Sequence, residues 1–330
     1  MPIQITLIGL GRIGTSLGLA LKRKAQEANL KIVGHDLDLQ LAKQAQSKGA
    51  IDAAEWNLPA ACENADAIFL CVPLSAMRKV MEEVIPHAKP ACVITDTAPL
   101  KMPLIEWAAE LFPPDRFYIG GAPILNPAFL HDGGSEPRAD LFESGLWALV
   151  PDANASPEAL KLIGDVARLV GAAPFFVGAA EFDSLIAATN TLPSLLAAAL
   201  LHVVTASPDW ADARKLADRN FATATAPVSQ AGPAALRAAA ILNRSSVLPL
   251  LDALIEQVAT MRKAIAEGDE ASIERLLTET IIAREAWLEK RLASNWEADE
   301  MPKREMPGPA TMLRQMVGLG RWGETKKGQK

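Results

Sequence analysis

The sequence predicts two fold classes in one chain: an α/β domain on a doubly wound, mainly parallel sheet, followed by an all-α domain. Three observations predict this. Short apolar runs alternate with amphipathic segments of about 10–15 residues as far as residue 178. From about residue 181 onward the patterning is helical only. A glycine fingerprint closes the first apolar run and opens the first amphipathic one.

The elements follow in order. IQITLIGLG, residues 3–11, is an apolar run ending in glycines, the pattern of a buried parallel strand. RIGTSLGLALKRKAQEA places Leu17, Ala20, Leu21 and Ala25 on one side of a helix. LKIVGHD is a second strand, and LQLAKQAQSKG a helix stopped by Gly49. ADAIFLCVP is a strand ended by Pro73, SAMRKVMEEVIPHA a helix, ACVITDTAP a strand, MPLIEWAAELF a helix and RFYIGG a strand. GLWALVPD, SPEALKLIGDVARLVG and PFFVG complete the series as strand, helix and strand. A boundary near Gly178–Glu181 divides the chain into residues 1–179, a nucleotide-binding domain, and residues 180–296, a helical domain. Residues 297–330, rich in Gly, Pro, Lys and Arg, are expected to form a flexible tail in which ATMLRQMVGLG has the pattern of a short amphipathic helix.

Charge and composition exclude several roles. A net charge of −6 argues against nucleic acid or an anionic membrane as partner. Three cysteines, Cys62, Cys71 and Cys92, form no CxxC pair, which suits a reducing cytoplasm and offers neither a disulfide framework nor a zinc site. No basic n-region or cleavage site precedes the first strand, so the expectation is a cytoplasmic protein. Residues 185–204, LIAATNTLPSLLAAALLHVV, are long enough to span a membrane. Asn190, Thr191, Pro193, Ser194 and His202 within them, and the absence of a basic flank, favour a helix buried at a domain or dimer interface. The apolar faces of 185–204 and 247–265 together predict a homodimer through the helical domain.

The fingerprint is Gly9-x-Gly11-x-x-Gly14. Gly9 permits a tight turn, Gly11 lets backbone approach a pyrophosphate, and Gly14 lets helix and strand pack closely. The pyrophosphate then rests on a helix N-terminus, beside Arg12 and Ile13, where free N–H groups and the helix dipole favour an anion. Arg12 either contacts phosphate or points to solvent; Thr15 and Ser16 offer further hydroxyl donors. Asp36 ends the second strand, 22 residues after Gly14, where a carboxylate accepts ribose hydroxyls and repels a 2′-phosphate. The expected cofactor is NAD, with NADP second, on a Rossmann-type sheet.

Ligands in open α/β sheets bind at the carboxyl ends of the strands. Those ends are Val72-Pro73, an apolar wall for the cofactor; Asp96-Thr97, polar groups that serve cofactor, catalysis or simple turn capping; and Gly121-Ala122-Pro123. Lys101 either binds a substrate carboxylate or is solvated at a helix start. His35 faces the adenosine or merely ends its strand.

Several of these stretches resemble the prephenate/arogenate dehydrogenases of tyrosine biosynthesis over most of residues 1–295. LIGLGRIGTSLGLALK is similar to that family's opening, DAIFLCVP and TDTAPLK to its next strands, and GGAPILNP with ADLFESGLWALVP to the block after them. ATNTLPSLLAAALL resembles the start of its helical domain, and LRAAAILNRSSVLPLLDALIEQV a later helix. The resemblance implies a Rossmann domain, a helical dimerisation domain and an NAD(P)-dependent oxidative decarboxylation of a prephenate-like carboxylic acid. It also implies site residues that this chain replaces. The family's substrate-bonding histidine in Gly-Gly-His-Pro is Ala122 here, and the serine that orients it is Pro99. The histidines of Ser-His-Leu-Pro-His are Thr191 and Ser194, and residues 221–233 offer no carboxylate-binding arginine. The groups left for catalysis are His131, Asn190 and Thr97; Asn126, Thr191, Arg237 and Arg244, with Arg138, are left for substrate. His87, at a helix end, and His202, on the apolar helix, read as structural. Two alternatives stand beside this reading: a dehydrogenase of another small hydroxy acid, and a catalytically inactive nucleotide-binding relative.

Overall fold

The computed structural model describes residues 2–25, 28–130, 134–151, 155–230 and 232–294. Residues 1–280 form one compact unit, and a second begins at Ile281. Strand and helix alternate from the start: β1 (Ile3–Ile8), α1 (Arg12–Lys22), β2 (Leu30–His35), α2 (Leu39–Ser47), β3 (Ala53–Ala54), α3 (Leu58–Cys62), β4 (Ala67–Leu70) and α4 (Leu74–Val84). Then come β5 (Val93–Asp96), α5 (Met102–Leu111), β6 (Phe117–Ile124), β7 (Leu146–Pro151), α6 (Pro157–Leu169) and β8 (Ala173–Phe176). The sheet order is β3-β2-β1-β4-β5-β6-β7-β8. Every described pairing is parallel except β6 with β7, which run antiparallel with Ala122 opposite Ala148.

The continuous apolar runs are explained by burial of both sheet faces. Leu7 and Phe69 point to one side, against Leu17 and Leu21 of α1 and Ile163 of α6. Their neighbours Ile8, Ile68 and Leu70 point to the other, against Met77 and Met81 of α4 and Leu104 of α5. Helix starts follow local chemistry where it exists: Asp38 caps α2 and Ser156 caps α6.

After β8 the chain is helical: α7 (Ala179–Ile186), α8 (Leu192–Thr205), α9 (Trp210–Leu216), α10 (Arg219–Thr225), α11 (Pro227–Gln230), α12 (Gly232–Leu242), α13 (Arg244–Glu267) and α14 (Glu270–Ala293). A π-helical turn, Ala187–Thr191, joins α7 to α8. The whole stretch Ala179–Thr205 is long and apolar enough to cross a membrane by length and composition. Little of its most apolar stretch is covered within the single chain, and Leu196, Leu200 and Val203 are exposed. β3, α3 and the π turn have no counterpart in the sequence reading, because elements of two to five residues carry no readable period. The expected tail, 297–330, lies outside the described residues.

Candidate active site

The carboxyl edge of the sheet carries two clusters. The first surrounds the glycine loop. Gly9 has φ +93°, and its N–H bonds His35 O at 2.9 Å, so the loop turns sharply out of β1. A Cβ on Gly14 would lie 1.9 Å from Gly9 O, so only glycine lets α1 begin this close to the strand. Asp36 ties the loop to β2: Oδ2 accepts Leu10 N–H at 2.6 Å and Oδ1 accepts Asp38 N–H at 2.8 Å. Gly11 is the N-cap of α1 and supplies no side-chain cap to its first turn, which carries the amides of Arg12, Ile13 and Gly14. A Cβ on Gly11 would meet no protein atom within 4 Å. These are the features a pyrophosphate needs. Thr15 and Ser16 are turned inward: the Thr15 hydroxyl donates to Leu10 O at 2.7 Å, and Ser16 Oγ accepts Arg138 N–H at 2.9 Å. The expectation that they face phosphate therefore gives way to a packing role.

Val72, half-buried, and Pro73, exposed at the N-cap of α4, lie at the end of β4, the strand beside β1. Thr97 follows β5 and bonds back to β4, its N–H donating to Leu70 O at 3.1 Å. Gly9, Gly11, Arg12, Ile13, Gly14, Asp36, Val72, Pro73 and Thr97 thus gather where the strand order switches direction.

The second cluster is ionic. Lys101 is fully buried; its Nζ donates to Asp96 Oδ1 at 2.6 Å and to Ala98 O at 2.8 Å. Asp96 Oδ1 also accepts Ala98 N–H at 2.7 Å, while Oδ2 accepts the Tyr118 hydroxyl at 2.6 Å and Gly121 N–H at 3.2 Å. The turn-capping role expected of Asp96 is real, and it is one part of a larger device. Burial pushes the Lys101 ammonium below the usual lysine value, and the facing Asp96 carboxylate pulls the other way. Four donors converge on that carboxylate. The double glycine makes room for it: a Cβ on Gly120 would meet Lys101 Cδ at 2.9 Å, and one on Gly121 would meet Asp96 O at 2.7 Å. Solvation of Lys101, one of the two expected readings, is excluded.

Ala122 faces an apolar group, with Val150, Val177 and Phe182 buried around it and Ile105 and Ile186 at its edge. Of the candidates for catalysis and substrate, Asn190 is exposed, and its carbonyl accepts the Ser194 hydroxyl at 3.1 Å. Thr191 is buried in the π turn, and its hydroxyl has no partner among the described residues. Asn126 is engaged in its own turn, accepting Ala128 N–H and donating to Asp140 O. Arg138 holds Asp140 with two bonds and stacks over the Phe129 ring at 4.1 Å. Arg237 and Arg244 are exposed on α12 and α13. His131 lies outside the described residues.

Sequence reasoning missed Tyr118, Asp183 and Asn243. Asp183, on α7, accepts the N–H groups of Lys101 and Met102, and its own carbonyl accepts Asn243 Nδ2 at 2.7 Å. Asp183 shares α7 with Glu181, and nothing in the sequence sets one carboxylate apart from the other.

Residues 17–175 match the nucleotide-binding domain of prephenate dehydrogenase, and residues 178–279 match its dimerization domain. The chain belongs to the prephenate dehydrogenase family. It is 26% identical to a cyclohexadienyl dehydrogenase of Zymomonas mobilis over 268 residues, covering 81% of this chain and 89% of that protein. With a prephenate dehydrogenase of Bacillus subtilis it shares 23% over 281 residues, 83% of this chain and 73% of that one. A prephenate dehydrogenase structure from A. aeolicus, in complex with hydroxyphenyl propionate and NAD+, superposes with a TM-score of 0.77 at 21% identity, covering 87% of this chain and 98% of that one. That likeness speaks for the fold.

Proposed function

We propose that the protein is an NAD-dependent dehydrogenase of the prephenate/arogenate type, with NADP as the second choice of cofactor, acting in tyrosine biosynthesis. The observation that carries the reading is the side-chain-uncapped first turn of α1, shaped by Gly9, Gly11 and Gly14 and flanked by Asp36, inside a chain that belongs to this family. The A. aeolicus relative, bound to NAD+ and a substrate-like acid, supports the cofactor and substrate class. The α1 amides would hold the pyrophosphate, and Asp36, each of whose oxygens keeps a free lone pair, would accept ribose hydroxyls. Bound nicotinamide supplies the hydride acceptor. The substrate's hydroxyl-bearing ring carbon would give up its hydride to that acceptor and its hydroxyl proton to water. The bond to the ring carboxylate would break as carbon dioxide leaves, its electron pair completing the aromatic ring as a phenolate that takes a proton back from water.

A second reading is favoured by Ala122. The apolar group around it offers no side chain to take that proton, and a positioned base contributes about 10²–10⁴-fold. An inactive nucleotide-binding relative fits that observation; a dehydrogenase of another hydroxy acid needs the same missing base. We infer a homodimer through the uncovered face of α8 and a cytoplasmic location, supported by three free thiols. Purified protein mixed with NAD or NADP and either prephenate or arogenate tests the main reading through the absorbance of reduced dinucleotide. Tight dinucleotide binding without turnover selects the inactive reading.

A further inference from the structure

Helix α5 starts without a cap of its own. Lys101 holds the N-cap position, its ammonium can donate but offers no oxygen to accept a helix amide, and Pro103 occupies the first turn. Two amides at this start are nonetheless bonded, Lys101 N to Asp183 Oδ1 at 2.6 Å and Met102 N to Asp183 Oδ2 at 2.9 Å. The carboxylate comes from α7, 82 positions along the chain from Lys101. Asp183 is buried, and the next residue toward the N-terminus, Phe182, lies against the Lys101 ammonium, 5.6 Å from ring centroid to Nζ. The Asp183 carbonyl is held in turn by Asn243, the N-cap residue of α13. One residue therefore pins the starts of α5 and α13 to α7.

We propose that Asp183 is a positioning residue for the substrate half of the site. It sets the placement of the π turn that carries Asn190 and Thr191 relative to the ends of β5 and β6. The proposal rests on the reading above of a prephenate/arogenate-type dehydrogenase, and takes Asn190 and Thr191 as part of its substrate site. Apolar packing alone resists separation of two elements but resists sliding and rotation weakly. A carboxylate accepting two neighbouring amides fixes both, because each oxygen has its own donor. The π turn begins at Ala187, so the position of Asn190 is inherited directly from the axis of α7. None of the hydrogen bonds described for Asp183 reaches the glycine loop or Asp36. The two halves of the site should respond differently when it is altered.

The test uses the full chain with Asp183→Asn, which keeps the size but turns an amide N–H toward one of the two donors, and Asn243→Ala. Dinucleotide affinity is measured by fluorescence titration, and kcat and KM for the acid are measured at saturating dinucleotide. The expected result for Asp183→Asn is a loss of about a hundredfold in kcat/KM, the cost of an ångström-scale misplacement, with dinucleotide affinity unchanged. Asn243→Ala should move the same parameter in the same direction by less. Unchanged kcat/KM, or a parallel loss of dinucleotide affinity, overturns the proposal. If the wild-type chain turns over neither acid, the functional reading fails and amide hydrogen exchange decides this one. Asp183→Asn should then speed exchange at the start of α5 and through residues 187–205 together, with the glycine loop unchanged. Exchange that changes everywhere, or in neither segment, overturns it.

Discussion

Two helices, α1 and α5, begin at the same edge of the same sheet, and their first turns are handled in opposite ways. At α1 no side-chain cap closes the first turn, and a glycine keeps the space before it empty. At α5 the protein's own carboxylate, Asp183, occupies the place an external anion would take. The physics is identical in both: free amides at the positive end of a helix dipole attract negative charge. What differs is who supplies the charge. Where the ligand brings it, the protein provides shape and leaves the side-chain cap out. Where the edge must be rigid before any ligand arrives, the protein completes the turn itself and buries an ion pair beside it.

The largest expected effect is at the closed edge. Lys101→Met leaves Asp96 buried without its counter-charge and should cost about 3–5 kcal/mol of unfolding free energy, read by denaturant titration. A cost below about 1 kcal/mol, the size of an exposed pair, would mean that the two edges do not differ as described. Asp36→Ala should come next. It removes the acceptor for Leu10 and Asp38 amides, a loss of about 1–3 kcal/mol, and should lower the preference for NAD over NADP in competitive binding. Gly11→Ala sharpens the contrast from the open side. Its Cβ meets no protein atom, so the melting temperature should hold while dinucleotide affinity falls at least about tenfold, or ~1.4 kcal/mol. Retained affinity would show that backbone approach at Gly11 is not needed.

The smallest effect tests an exposed charge pair in the loop that packs against α1 through the Arg138 amide. The bond from Arg138 holds the Asp140 carboxyl below its ordinary value of 3.8, despite some desolvation. A lowered carboxylate stabilises the fold above its unfolded value, and the contribution disappears as pH falls through the folded one. Both side chains are about a third exposed or more, so the loss should stay under about 1 kcal/mol. Melting curves of the wild-type chain and Arg138→Met should therefore converge as pH drops below 3.8.

The open edge was legible in the sequence because its determinants are local. Three glycines, the strand before them and a carboxylate one strand later lie within 36 residues, and each has a fixed spacing that follows from the geometry of one βαβ unit. The closed edge was legible only in part. Asp96 was found as a strand-end carboxylate with a turn-capping role. Its pairing with Lys101 was not, since a lysine at a helix start is read as solvated unless its surroundings are known. Asp183 was invisible because the turn it completes lies 82 positions away and no periodicity links the two. The resemblance to a known family pointed to Ala122 as a departure. What surrounds that methyl group needed coordinates, since Phe182 and Val177 come from a different part of the chain.

Tyr118 gives the closed edge one more property. It is the sole tyrosine among 330 residues, and it is buried with its hydroxyl on Asp96. A tyrosine-selective isotope label would therefore yield a single resonance from within the ionic cluster, with no substitution needed to place it. The chain carries its own reporter at the point where sheet, helix start and ion pair meet.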